Sequence, residues 1–155
     1  MLMVWALLLL SLQVAGISLS GIVTAVKDGD TIEIISNGLT TTVRLEHIDC
    51  PEKGQDFGKR AKQFTSNFCY GKSVRVETRG QKDRYGRVIG VVYLADGANL
   101  NLALVDAGYA WHFRKYSKDR TYARAEDAAR KARLGLWASD FPIAPWDWRK
   151  MHRNR

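Results

Sequence analysis

The feature that most constrains this chain is a set of five short segments rich in β-branched and apolar residues, punctuated by turn residues and interrupted once by helical spacing. The segments lie at about 21–27, 31–35, 40–48, 73–78 and 87–94. Each reads as a strand, because branched side chains suit a pleated, half-buried surface. Asp28-Gly29 joins the first two, and Ser36-Asn37-Gly38 joins the second to the third. Gly, Asn and Asp tolerate the positive φ of tight hairpins, so three antiparallel strands are expected in succession. Phe57, Ala61, Phe64 and Phe68 then recur at helical intervals up to Gly71, which predicts a helix over 57–70. Leu100, Ala103, Leu104 and Ala107 predict a second over 99–106, stopping at Gly108. Ala125, Ala128, Ala129 and Ala132 predict a third over about 119–133, before Gly135. The order is that of a five-stranded OB-type Greek-key barrel with three helices, a β-barrel plus α architecture.

A length of 155 residues suits one such domain with a real core. Residues 1–20 contain no ionisable side chain, so the formal charge of +8 falls entirely on the remainder. The apolar run over 1–12, followed by Ala15, Gly16, Ser18 and Ser20, reads as a secretory leader and is short for a membrane span. Cleavage is expected between Ala15 and Ser20, with the first strand starting near Gly21 and the domain running over 21–138. The expected location is periplasmic or secreted, with an uncleaved anchor as the variant. In an oxidising compartment the two cysteines, Cys50 and Cys69, permit one disulfide, and two buried free thiols are the equal alternative. The segment 139–155, with two prolines and two tryptophans, is expected to pack back on the domain without a chemical role.

No Cys/His set has zinc spacing, and no P-loop, GxGxxG or GxSxG is present. Twelve Lys and Arg against five Asp and Glu lie beyond Ala110, which favours a polyanionic partner. The acidic residues gather at strand ends: Asp28 and Asp30 at the first hairpin, Asp49 and Glu52 after the third strand. Carboxylates on converging loops are the usual oxygen donors for a hard cation. The histidines, His47, His112 and His152, lack ligand spacing.

With DGDT at 28–31, RLEHIDCPE at 44–52 and DRYGR at 83–87, the chain resembles the staphylococcal-nuclease-like thermonucleases over about 21–138. The resemblance implies a five-stranded OB barrel with three helices and Ca²⁺-dependent hydrolysis of DNA and RNA to 3′-phosphate products. It implies Asp30, Asp49 and the backbone carbonyl of Cys50 as metal ligands, with Asp28 near the metal. Glu52 takes the place of the general base, and Arg44 and Arg87 those of the guanidiniums on the scissile phosphate. Planar forks fit phosphate oxygens where lysine would not. Arg84 and Tyr85 match the residues that hold a neighbouring phosphate, with Arg84 replacing the family's lysine. Tyr116 is the candidate for contacting the nucleotide, with Trp111 or Phe113 as alternatives for that part. The segment 52–57 is shorter than the corresponding loop of the staphylococcal prototype.

Strict alternation puts Arg44 and Asp49 on opposite faces, so the third strand must bend or end before Asp49, with Pro51 supporting the bend. The expected activity is that of an exported, sugar-nonspecific, monomeric nuclease favouring single strands. A non-catalytic OB nucleic-acid-binding module and a secreted interaction domain are the competing readings.

Overall fold

The computed structural model describes residues 16–153; the apolar run assigned to a leader lies outside them, apart from Gly16 to Ser20. Twelve elements follow one another: β1 (Ile17–Asp28), β2 (Thr31–Ser36), β3 (Leu39–Leu45), β4 (Ile48–Asp49), α1 (Gly58–Cys69), β5 (Ser73–Lys82), β6 (Val88–Leu94), α2 (Leu100–Asp106), β7 (Trp111–His112), α3 (Arg120–Lys131), a 3₁₀ turn (Gly135–Ala138) and α4 (Pro145–His152). Five strands close a barrel in the order β1-β2-β3-β6-β5. All barrel pairings are antiparallel except β3 with β6, where Arg44 lies beside Ile89.

The alternation that marked the strands is the alternation of the core. Ile32 and Ile34 of β2, Val43 and Leu45 of β3, Val74 and Val76 of β5 and Val92 of β6 fill the barrel, essentially without exposure. Each such side chain contributes on the order of 1.5–3 kcal/mol by leaving water. Helix α1 presents Ala61, Thr65 and Cys69, and α2 presents Leu100, Leu104 and Val105, to the same core. Asn99 caps α2 by accepting from the Leu102 N–H, and Asp119 caps α3 by accepting from Thr121. Asn37 (φ 49°) and Gly38 (φ 77°) form the two-residue turn between β2 and β3, as the primed hairpin geometry requires.

Several expectations change. Strand β1 begins at Ile17 rather than near Gly21, because Ile17 to Ile22 pair with Thr78 to Ser73 of β5 and help close the barrel. The third strand stops at Leu45 and not at residue 48. A fourth helix, α4, joins the three expected. Cys50 and Cys69 are buried free thiols, so the disulfide alternative falls. Cys69 sits in α1 and donates to the Thr65 carbonyl, while burial pushes the Cys50 thiol well above its usual range. Among the described residues no helix is long and apolar enough to cross a membrane.

Candidate active site

The β1–β2 hairpin places the first carboxylates. Its loop is Gly29-Asp30, and the Asp30 N–H donates back to Asp28 Oδ1 at 3.2 Å. Gly29 is not needed there for a positive φ, as the turn reading assumed. It is needed for space: a Cβ would lie 2.8 Å from Ala61 Cβ and 2.9 Å from both Cβ and Sγ of Cys50. The hairpin tip is thus pressed between α1 and the loop that follows β4, and the Thr65 hydroxyl donates to the Gly29 carbonyl at 2.6 Å. This contact brings Asp30 to Cys50, whose N–H donates to Asp30 Oδ2 at 2.7 Å.

Arg44 and Asp49 reach one site because the chain turns between them. β3 ends at Leu45, His47 takes φ 71°, and Ile48–Asp49 pairs with Trp111–His112 in a separate small sheet. The bend therefore lies at Glu46-His47, before Asp49 as strand alternation required. Arg44 fastens the turn by donating from Nη1 to the carbonyls of Leu45 and Ile48, at 2.6 and 3.0 Å. Its Nη2 meets Asp30 Oδ2 at 3.0 Å and Asp49 Oδ1 at 2.9 Å. One guanidinium thus ties the hairpin carboxylate to the loop carboxylate. Burial works against the charge of Arg44, but Asp30 and Asp49 outweigh it and hold its pKa above the usual value.

The β5–β6 turn supplies the second arginine. The Asp83 carboxylate accepts from the Tyr85 and Arg87 N–H groups and from Arg87 Nε at 2.7 Å. Burial would raise the Asp83 pKa, yet these bonds hold it below the ordinary carboxylate range. Arg87 Nη1 also donates to the Thr31 hydroxyl at 3.2 Å, which leaves Nη2 without a protein acceptor among the described residues. Arg84 donates to the Tyr85 hydroxyl at 2.7 Å, both side chains lying on the rim.

Asp28, Asp30, Arg44, Asp49, Cys50, Glu52, Arg84, Tyr85, Arg87 and Tyr116 all line one open cleft of about 750 Å³. Tyr116 stands exposed at its far wall, edge-on to Phe113, which lines the cleft too. Trp111 does not; it is buried against Trp137 and Trp146. His47 and His112 instead share the Ser117 hydroxyl, each at 2.9 Å, and brace the loop after β7.

One cleft residue escaped the sequence reading. Arg149 of α4 meets Asp49 Oδ2 through Nη2 at 2.7 Å and Glu52 Oε1 through Nη1 at 2.5 Å. The segment 139–155, expected to be inert packing, therefore carries a charged group into the site. Nothing in WDWRK signals this, since the contact spans 100 residues of sequence and depends on how α4 docks.

The donor set fits a hard cation. Asp30 and Asp49 are buried carboxylates sharing an arginine, with Asp28 beside them, oxygen donors of the kind hard cations take. Among the described residues no three His, Cys, Asp or Glu side chains group closely enough to hold a metal ion by themselves. The carboxylates crowd one another: burial and then the charge of Asp30 push Asp28 up to about 7. Burial also raises Asp49, despite its hydrogen bonds from Arg149.

The closed barrel thus carries clustered carboxylates and guanidiniums in one open cleft. The family described as Staphylococcal nuclease homologue matches residues 42–139. A protein of Escherichia coli named Uncharacterized endonuclease is 42% identical over 134 residues, which is 86% of each chain. A Micrococcal nuclease of Shigella flexneri is 40% identical over 144 residues, covering 86% of this chain and 82% of the relative. Probable staphylococcal-like nuclease CAN1 of Oryza sativa subsp. japonica is 38% identical over 112 residues, covering 72% of this chain and 33% of the plant protein. This chain belongs to the staphylococcal nuclease family.

Proposed function

We propose that the protein is an exported, Ca²⁺-dependent endonuclease that hydrolyses DNA and RNA phosphodiesters with little sequence preference. Family membership supports the nuclease activity; the gathering of the expected metal, phosphate and base positions on one cleft is the observation that carries the rest. Asp30, Asp49 and the Cys50 carbonyl would hold the cation, which would supply Lewis-acid stabilisation of charge on the phosphate.

The chain's own groups do the remainder. Arg87, fixed by Asp83 and Thr31, offers Nη2 to a phosphate oxygen and opposes the negative charge that grows in the transition state. Arg44 keeps the two carboxylates together and, lining the same cleft, joins Arg87 on the scissile phosphate. Glu52 accepts a proton from the attacking water as its oxygen bonds to phosphorus. The bond from phosphorus to the 5′ oxygen breaks, that oxygen takes a proton from solvent water and leaves as a hydroxyl, and the phosphate stays on the 3′ side. Arg84 and Tyr85 take a neighbouring phosphate, and Tyr116 faces a base. An open cleft with exposed aromatics suits a splayed single strand, and no group singles out the 2′-hydroxyl. The protein acts as a monomer beyond the cytoplasmic membrane.

The deciding experiment incubates the protein with single-stranded DNA and RNA, with Ca²⁺ or with chelator. Ca²⁺-dependent fragments ending in 3′-phosphate are expected. Binding without cleavage in any divalent cation would replace this reading with that of a non-catalytic binding module.

A further inference from the structure

Glu52 is held from the C-terminal side of the chain by two separate contacts. Its N–H donates to Gln55 Oε1 at 3.0 Å, and the same glutamine donates from Nε2 to the Ile143 carbonyl at 2.8 Å, just ahead of α4. Its carboxylate accepts from Arg149 Nη1 at 2.5 Å. Helix α4 is itself anchored by Trp146, which lies parallel to Phe113 (3° between rings, 5.4 Å between centroids) and edge-on to Trp111. The Arg149 fork also spans both oxygens of Asp49, at 2.7 and 3.3 Å. Arg44 reaches Asp49 but makes no such bond to Glu52, so among the described residues Arg149 is the guanidinium that joins the two carboxylates.

We propose that Arg149 is a positioning residue: it fixes the Glu52 carboxylate for water activation and, by occupying Asp49, opposes the cation that the same site binds. The proposal rests on the nuclease reading. The two consequences have opposite signs. A guanidinium on Asp49 occupies oxygens that a cation needs and adds like charge beside it, so removing Arg149 strengthens cation binding. Removing it also frees the half-exposed Glu52 side chain to sample rotamers away from the attacking water, so turnover falls. A residue that merely braced the fold would lower both together, along with thermal stability. The Arg149 side chain is 42% exposed, so its replacement leaves the core intact.

The test compares wild type with Arg149→Met, Arg149→Lys, Glu52→Gln and the double variant Arg149→Met/Glu52→Gln, measuring Ca²⁺ binding by calorimetry, turnover on a single-stranded oligonucleotide, and Tm. Arg149→Met should bind Ca²⁺ about tenfold tighter yet turn over on the order of a hundredfold more slowly, at a Tm near wild type. Arg149→Lys keeps the charge but cannot bridge both carboxylates, so it should keep wild-type Ca²⁺ affinity while losing most of the turnover. The double variant should be no slower than Glu52→Gln alone, because Arg149 acts through Glu52. Weaker Ca²⁺ binding or unchanged turnover in Arg149→Met would overturn the proposal. Additive losses in the double variant would also overturn it, by showing that Arg149 acts on the substrate itself. A wild-type protein that binds Ca²⁺ but does not cleave would instead sink the nuclease reading, and the calcium titration of Arg149→Met would still decide whether this arginine opposes the cation.

Discussion

Replacing Gly29 with alanine tests whether the metal side of the cleft is set by close packing at the hairpin tip. The new methyl would meet Ala61 Cβ at 2.8 Å and Cys50 Cβ and Sγ at 2.9 Å each. Carbon atoms at ease sit roughly 3.5–4.0 Å apart, so each contact is short by several tenths of an ångström or more. Two of the three partners are Cβ atoms, which cannot rotate away, and the third is buried. The hairpin tip must therefore lift from α1 and from the loop carrying Asp49. Overpacking of this kind costs about 1–3 kcal/mol, and with three contacts we expect the upper half of that range. For a domain of this size that lowers Tm by on the order of 10 °C. Lifting the tip also stretches the bond from the Cys50 N–H to Asp30 Oδ2, so Asp30 moves away from Asp49 and Ca²⁺ binding weakens. Thermal melts followed by tryptophan fluorescence, with calorimetric Ca²⁺ titration, read both effects. Gly38→Ala is the control: its Cβ meets nothing within 4 Å, and the φ of 77° costs about 1–2 kcal/mol without moving the site. A Gly29→Ala protein that melts with wild type and binds Ca²⁺ equally well would refute the packing argument.

Glu52→Gln and Arg87→Ala should each lower turnover by about 10²–10⁴-fold with unchanged far-UV circular dichroism, since both side chains border the cleft rather than the core; parallel loss of structure would show that they support the fold. His112 should make the protein acid-labile. Burial, with the charge of Arg114, holds its folded pKa below the usual 6.5, and its Nδ1 has no partner among the described residues. Its contribution is complete above about pH 6.5 and is lost as pH falls towards the lower folded value, because the unfolded chain then binds more protons. Denaturant melts from pH 7 to 5 should show this decline, and His112→Gln should flatten it. If the leader is removed, N-terminal sequencing should find the first residue at or before Ile17, because a later cut would strip residues of β1 that pair with β5; a mature start at Ser18 or beyond in active protein would contradict this.

The barrel was legible because its interior is written in local alternation: Ile32 and Ile34, or Val74 and Val76, declare a face within three residues. The hairpin carboxylates were legible as a local turn motif, and Arg84, Tyr85 and Arg87 through the family resemblance of DRYGR. Three things were not. Ile17 to Ser20 alternate as a strand should, but they continue an uncharged apolar run that reads as a leader. β4 and β7 have two residues each, too short for any period, and although a bend before Asp49 was required, nothing in the sequence put it at the one left-handed residue, His47. Arg149 had no signal at all, since its role depends on where Trp146 lands on Phe113.

The separation of Asp49 and Arg149 by 100 residues gives the site a schedule as well as a shape. At about 5–20 residues per second, the acidic loop is synthesised some 5–20 s before its arginine partner. Through that interval the growing chain has the carboxylates that attract a cation, but neither the Ile143 tether nor the Arg149 fork that aligns Glu52. On the proposed reading, a chain halted before α4, or clipped there by a protease, would bind metal more tightly and cut far more slowly. Competence then becomes a late event in the life of each molecule, reached only after the segment beyond residue 140 has been made and docked.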